Sequence, residues 1–220
     1  MRTEKWQMYI DTLQGHPSVC KSNHTIESMR FITELIPLKD FPRMLDVGCG
    51  EGLETKVLKD LGYNVIGITR GLVNVEYAQE HYPEVKVLEM DMHDLLFPIS
   101  SFDALFLNHT FEHLYASFIA MLEMNSVLRM GGRVWIAMPE FKEVDDPMIG
   151  EVNRISHHHP NMLCWNLLQQ LFEATGFTVL YKREIEGNPY FDNPYLLEKD
   201  NRNIHSDVKT ALEKRKEVFG

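Results

Sequence analysis

From residue 43 onward, short apolar runs alternate with stretches whose apolar residues fall at helical spacing, and few folds accommodate that rhythm. Strands are expected at 43–47 (RMLDV), 64–68 (NVIGI), 85–89 (VKVLE), 102–107 (FDALFL) and 133–137 (RVWIA). Helices are expected between them at 53–61, 72–81 and 114–130, the last ended by Gly131-Gly132. Strands separated by helices cannot pair as hairpins, so the chain is expected to form a mainly parallel, doubly wound α/β sheet with helices on both faces. A further helix at 162–174, a strand in FTVLYKRE, a last strand within NPYFDNPYLLEKD and a helix in DVKTALEKRKEVF complete the reading.

This rhythm allows one core, because 220 residues carry no linker, repeat or low-complexity stretch. A single domain over 1–220 is expected: an N-terminal helical cap at 1–42, a binding core at 43–137, a substrate loop or lid at 138–161, and the end of the sheet with a terminal helix at 162–220. In the cap, Trp6, Tyr9, Met29 and Phe31 read as packing residues. No run of about 18 apolar residues occurs, so no membrane span is expected. The start, MRTEKWQMYIDTLQG, lacks the features of a signal peptide, so a cytoplasmic protein is expected. The formal net charge of -10 repels phosphate backbones and argues against a nucleic-acid partner. Cys20, Cys49 and Cys164 fit neither a zinc pattern nor a disulfide framework, and no metal site is expected.

The stretch with most chemistry is MLDVGCGEG at 44–52. It places Gly48, Gly50 and Gly52 between a strand and a helix, where doubly wound folds bind ligands. Glycine lets the backbone turn sharply and approach a ligand without a side chain intervening. A dinucleotide fingerprint would need glycine or alanine at position 53, which is Leu53. Asp46 would repel a diphosphate but attract an ammonium or sulfonium cation. Both features disfavour an NAD-dependent oxidoreductase.

The segment LDVGCGEG closely resembles the first motif of class I S-adenosylmethionine-dependent methyltransferases, D-x-G-x-G-x-G. Further stretches resemble the same family in order: Asp91-Met92-His93-Asp94-Leu95, Asn108 to Leu114 (NHTFEHL), Leu128 to Arg133, and Ala174-Thr175-Gly176-Phe177. The resemblance covers about residues 40 to 185 and is closest to the type 11 group of small-molecule methyltransferases. It implies the class I fold, S-adenosylmethionine as cofactor, and a small-molecule acceptor methylated on oxygen or nitrogen. It places the backbone of Gly48 and Gly50 against the methionine part of the cofactor and Asp46 near its amino group. Cys49 and Gly52 belong to the same cofactor-binding turn, Cys49 as a small buried residue rather than a nucleophile. Asp91 would accept from the adenine amine, the Met92 N–H would donate to the ring, and the Asn108 backbone would line the amino-acid end. Asp91 and Asn108 also suit turn or helix caps.

One position departs from the family. The second strand usually ends in an acid that grips both ribose hydroxyls, whereas this chain has Thr69 followed by Arg70. Threonine offers one hydroxyl and no charge, which leaves open a catalytically silent fold that binds the cofactor or a partner as a sensor or subunit. Candidate bases past the fourth strand are His109, Glu112 and His113, of which Glu112 and His113 are equally able to cap or pack against the following helix. His157-His158-His159 ends the long loop, where His158 is the candidate substrate-binding residue.

Overall fold

A computed structural model describes residues 32–139, 165–182 and 192–219. The elements run α1 (Ile32–Leu35), β1 (Arg43–Val47), α2 (Leu53–Asp60), β2 (Asn64–Thr69), α3 (Leu72–His81), β3 (Lys86–Glu89) and β4 (Phe102–Asn108). A 3-10 turn (Phe111–His113) leads to α4 (Ser117–Val127), β5 (Leu128–Pro139), α5 (Trp165–Ala174), β6 (Phe177–Lys182), β7 (Asp192–Lys199) and α6 (Ser206–Phe219). The strands form one sheet in the order β3-β2-β1-β4-β5-β7-β6. All its pairs from β3 to β5 are parallel, and β7 runs antiparallel to both β5 and β6. The expected doubly wound, mainly parallel sheet is therefore the observed one.

The alternation of side chains along each strand sorts the core into two layers. Leu45, Val47, Leu105, Leu107, Val134 and Ile136 face one side, where Met121, Met124, Leu168 and Phe172 of α4 and α5 cover them. Met44, Ala104, Phe106 and Trp135 face the other, against Ile32, Ile36, Phe41 and Leu58. Both faces of the central strands are thus apolar, which is why β4 reads as a continuous hydrophobic run. Of the expected N-terminal cap, residues 32–42 are seen packing on this second layer; residues 1–31, Trp6, Tyr9, Met29 and Phe31 among them, lie outside the described residues. So does most of the expected lid, including His158.

One expected helix is wrong in both its ends. The helix at 114–130 is a 3-10 turn, an extended Leu114, and then α4, which stops at Val127 before the double glycine. The stop is made by tertiary contacts rather than by glycine. The buried Lys199 ammonium on β7 donates to the carbonyls of Asn125 and Leu128 at 2.6 and 2.7 Å, and so takes up the chain end of the helix. Residues 128–130 are already strand, and the pairing of β4 with β5 shifts register between Phe102 and Ala104 to absorb the glycines.

Candidate active site

The connections β1–β2–β3 run toward one edge of the sheet, while β4 and β5 lie on the other side of β1. The carboxyl ends of β1 and β4 therefore flank the point where the winding reverses, the place where open α/β sheets hold ligands. Asp46 lies one residue before the end of β1, Asn108 is the last residue of β4, and Thr69 is the last of β2. Sequence positions 46, 69 and 108 are thus gathered along one edge by the strand order alone.

The glycine turn leaves β1 with Gly48, Gly50 and Gly52 all at positive φ. Gly48 admits no other residue: a Cβ there would lie 2.2 Å from Cγ2 of Thr110. The Thr110 hydroxyl in turn lies between two acceptors, the Asn108 carbonyl at 3.1 Å and the Gly48 carbonyl at 3.3 Å, which ties the turn to the segment after β4. The N–H groups of Gly48 and Cys49 both point back into the sheet, to the Ile68 carbonyl. Gly50 is different: nothing lies within 4 Å of where its Cβ would be, so the backbone borders open space. That opening is a cradle suited to the narrow aliphatic part of a ligand. Gly52 packs tightly on Ala78 and Val87 and starts α2, so its place is in helix packing rather than at the opening.

Two acidic residues flank the glycine turn in sequence, Asp46 before it and Glu54 after it. Asp46 is 1% exposed and its carboxylate accepts from the Thr55 hydroxyl at 2.6 Å. Glu54, in the first turn of α2 and 6% exposed, accepts from the Asn108 side-chain amide at 2.6 Å. Burial, followed by the charge of Glu54, holds the Asp46 carboxyl well above the usual range despite the Thr55 hydrogen bond. Burial raises Glu54 to about 7, opposed by the Asn108 amide and by the nearby His109. Burial and the Asp46 charge likewise raise the Cys49 thiol, so Cys49 is inert packing. Glu54 is absent from the sequence-derived candidates, although its spacing of four from buried Leu58 puts it on the inward face of α2.

The three candidate bases part company. Glu112 is buried, its Oε2 has no hydrogen-bond partner among the described residues, and its Oε1 lies 3.5 Å from Nδ1 of His109. His109 is exposed, held at φ 49° just after β4, and close enough to Glu54 to influence its charge. His113 is exposed at the end of the 3-10 turn. The structure thus joins His109 and Glu112 into one unit.

A second cluster sits beyond β2 and β3. Asp91 accepts from both the backbone N–H and Nδ1 of His93, at 2.9 and 2.7 Å, and lies 3.7 Å from Arg70. Burial pushes its carboxyl upward, but the His93 hydrogen bonds and the Arg70 charge outweigh that and hold it below the usual range. Met92 adjoins Asp91 and is partly buried against the main core. Thr69 is buried, and its hydroxyl is approached by the Asn74 amide at 3.4 Å. Arg70 is exposed beside it.

Residues 45–136 match the family model described as "Methyltransferase domain". Over these residues the chain is similar to S-adenosylmethionine-dependent methyltransferases, and its fold is the class I methyltransferase fold. A protein of Mycolicibacterium smegmatis named "probable S-adenosylmethionine-dependent methyltransferase" is 28% identical over 62% of this chain and 52% of its own. The O-methyltransferase cnsE of Penicillium expansum is 30% identical over 66% of this chain and 55% of its own. The chain spans about half the length of these curated relatives. A crystal structure of an S-adenosylmethionine-dependent methyltransferase from Methanosarcina mazei matches at TM-score 0.64 and 17% identity, over 77% of this chain and 97% of that one, a likeness of fold. An open glycine turn at this place in the sheet, with acidic residues on either side of it in sequence, suits a ligand that carries an ammonium group. Among the described residues no helix is long and apolar enough to cross a membrane.

Proposed function

We propose that the chain transfers a methyl group from S-adenosylmethionine to an oxygen or nitrogen atom of a small molecule. One observation carries this reading: two buried carboxyls, paired with no lysine or arginine among the described residues, flank a glycine turn that is open at Gly50. A ligand bringing its own positive charge resolves the cost of burying them.

When bound, the cofactor supplies an activated methyl carbon; alignment and proton handling fall to the chain. Asp46 takes the ammonium group, and Gly48 and Gly50 border the amino-acid chain. Asp91 accepts from the adenine amine and the Met92 N–H donates to the ring. Thr69 and Arg70 stand at the ribose, while His158, the residue assigned to the acceptor from the sequence, lies outside the described residues. His109 removes the proton of an acceptor hydroxyl through the nitrogen not turned to Glu112, while Glu112 fixes the ring and balances its charge. The cofactor held by these residues would supply the methyl carbon to the acceptor oxygen, the electron pair of the carbon–sulfur bond staying with sulfur. His113 remains outside this arrangement. A small acceptor is favoured by the net charge of -10, and oxygen is favoured by the likeness to an O-methyltransferase.

Calorimetric titration with S-adenosylmethionine, S-adenosylhomocysteine and NAD, followed by labelled methyl transfer to a panel of phenols, carboxylates and amines, tests the reading. Micromolar binding of the first two with transfer to at least one acceptor class supports it; tight NAD binding alone refutes it. A second reading draws on Thr69, whose hydroxyl is buried and approached by Asn74: a catalytically silent cofactor binder. Binding without transfer to any acceptor selects that one.

A further inference from the structure

The methyltransferase reading assigns one acid, Asp46, to the cofactor's amino group and leaves Glu54 without a purpose. Glu54 is an odd residue to bury. It sits in the first turn of α2 with the carboxyl turned inward beside β4, where its recorded hydrogen bond is from the Asn108 amide. Asp46 has the Thr55 hydroxyl. No lysine or arginine among the described residues pairs with either acid, and no described residue hydrogen-bonds the second oxygen of either. The titratable groups facing the pair are Cys49 from the turn and His109 from the end of β4, with Glu112 behind His109. Glu112 adds an independent observation, since its buried Oε2 has no hydrogen-bond partner among the described residues.

Two carboxyls buried together resist being ionised at the same time, and His109 reduces the rise at Glu54 without cancelling it. The empty site therefore retains a proton, and an ammonium group entering the cradle opposite Gly50 would replace it. We propose that Glu54 joins Asp46 as a receptor for the ligand's primary ammonium, and that the empty pair holds a proton which the incoming cation displaces. The proposal rests on the cofactor reading and deepens it. It makes Glu54 the residue that distinguishes ligands bearing an amino acid from those carrying adenosine alone, and it makes binding release a proton.

The probes are S-adenosylhomocysteine, which carries the ammonium, and 5′-methylthioadenosine, which lacks it. Both are titrated calorimetrically into the whole chain at pH 6, 7 and 8, in two buffers of different ionisation enthalpy so that protons are counted directly. S-adenosylhomocysteine should release close to one proton at pH 6 and bind about tenfold more tightly at pH 8 than at pH 6, as follows from an acid titrating near neutrality. 5′-Methylthioadenosine should release none and show a flat profile. Glu54→Gln should flatten the profile of S-adenosylhomocysteine while leaving that of 5′-methylthioadenosine unchanged. Equal pH profiles for the two ligands, or no proton release by S-adenosylhomocysteine, would overturn the proposal with the unmodified protein alone. Failure of both ligands to bind at any pH would instead overturn the cofactor reading and this proposal with it.

Discussion

Strands β1 and β4 carry a charged cluster at each end, and the two clusters are opposites. At the amino end, Asp103 of β4 is gripped by Arg43 of β1 through Nε, Nη2 and the backbone N–H, each at 2.9 Å, and by Arg129 Nε at 2.8 Å. Hydrogen bonds from Arg43 are the largest influence on its carboxyl, which is held down at about 2. At the carboxyl end of the same strands, Asp46 and Glu54 have one neutral donor each, and both are pushed upward. Both side chains are nearly inaccessible to solvent, but burial dominates at Glu54, which lies deeper, whereas arginine hydrogen bonds outweigh it at Asp103. A satisfied buried charge fastens the fold, whereas an unsatisfied one marks where something else must come.

The contrast breaks most visibly at Asp46. Asp46→Ala should weaken S-adenosylhomocysteine about a hundredfold by titration, equivalent to about 3 kcal/mol, while the fold persists. Unchanged affinity would remove Asp46 from the site. Next comes the pH dependence of the ligand-free chain. Below the ordinary glutamate range Glu54 is protonated whether folded or not. Between about 4.5 and 7 the folded chain keeps a proton that the unfolded chain has lost, so raising pH costs stability across that window, and above it the cost is constant. Denaturant midpoints should fall from pH 5 to pH 8 by the equivalent of about 2 kcal/mol, and Glu54→Gln should remove most of that loss.

The amino-end cluster should behave with the opposite sign. Asp103 stabilises the fold above the ordinary aspartate range, and that contribution disappears as pH falls from about 4 toward 2. Because Arg43 and Arg129 are partly exposed, solvent screens the pairing, and Asp103→Asn should cost about 1 kcal/mol in chemical denaturation with cofactor affinity unchanged. The smallest effect is expected at Asp91. Its carboxylate already serves His93 and Arg70, so Asp91→Ala should reduce S-adenosylhomocysteine affinity only several-fold. A hundredfold loss there would shift the main anchor from the amino-acid end to the adenine end.

These clusters also show what the sequence reveals and what it conceals. Strand positions were legible because burial on both faces writes itself as apolar runs, and Gly48 and Gly50 because the backbone there admits little else. The end of α4 was not, since Lys199, more than seventy residues later, stops it. Glu54 escaped notice because an acid in the first turn of a helix is common for reasons of the helix dipole alone. Its phase with Leu58 was the available signal, but inward direction becomes informative only once β4 is known to lie opposite. His109 and Glu112 were both named, yet their pairing depends on the turn after β4, which no local pattern specifies.

The contact between Thr110 and Gly48 has a consequence for how such a chain can change over generations. The threonine methyl occupies the space into which any larger residue at position 48 would grow. A substitution at 48 is closed to drift while Thr110 remains, and shrinking 110 first opens space without restoring the ease of a positive φ. Mutational paths that remodel the acceptor side by altering position 110 therefore pass through the cofactor turn as well, so the two halves of the site are free to diversify only in step.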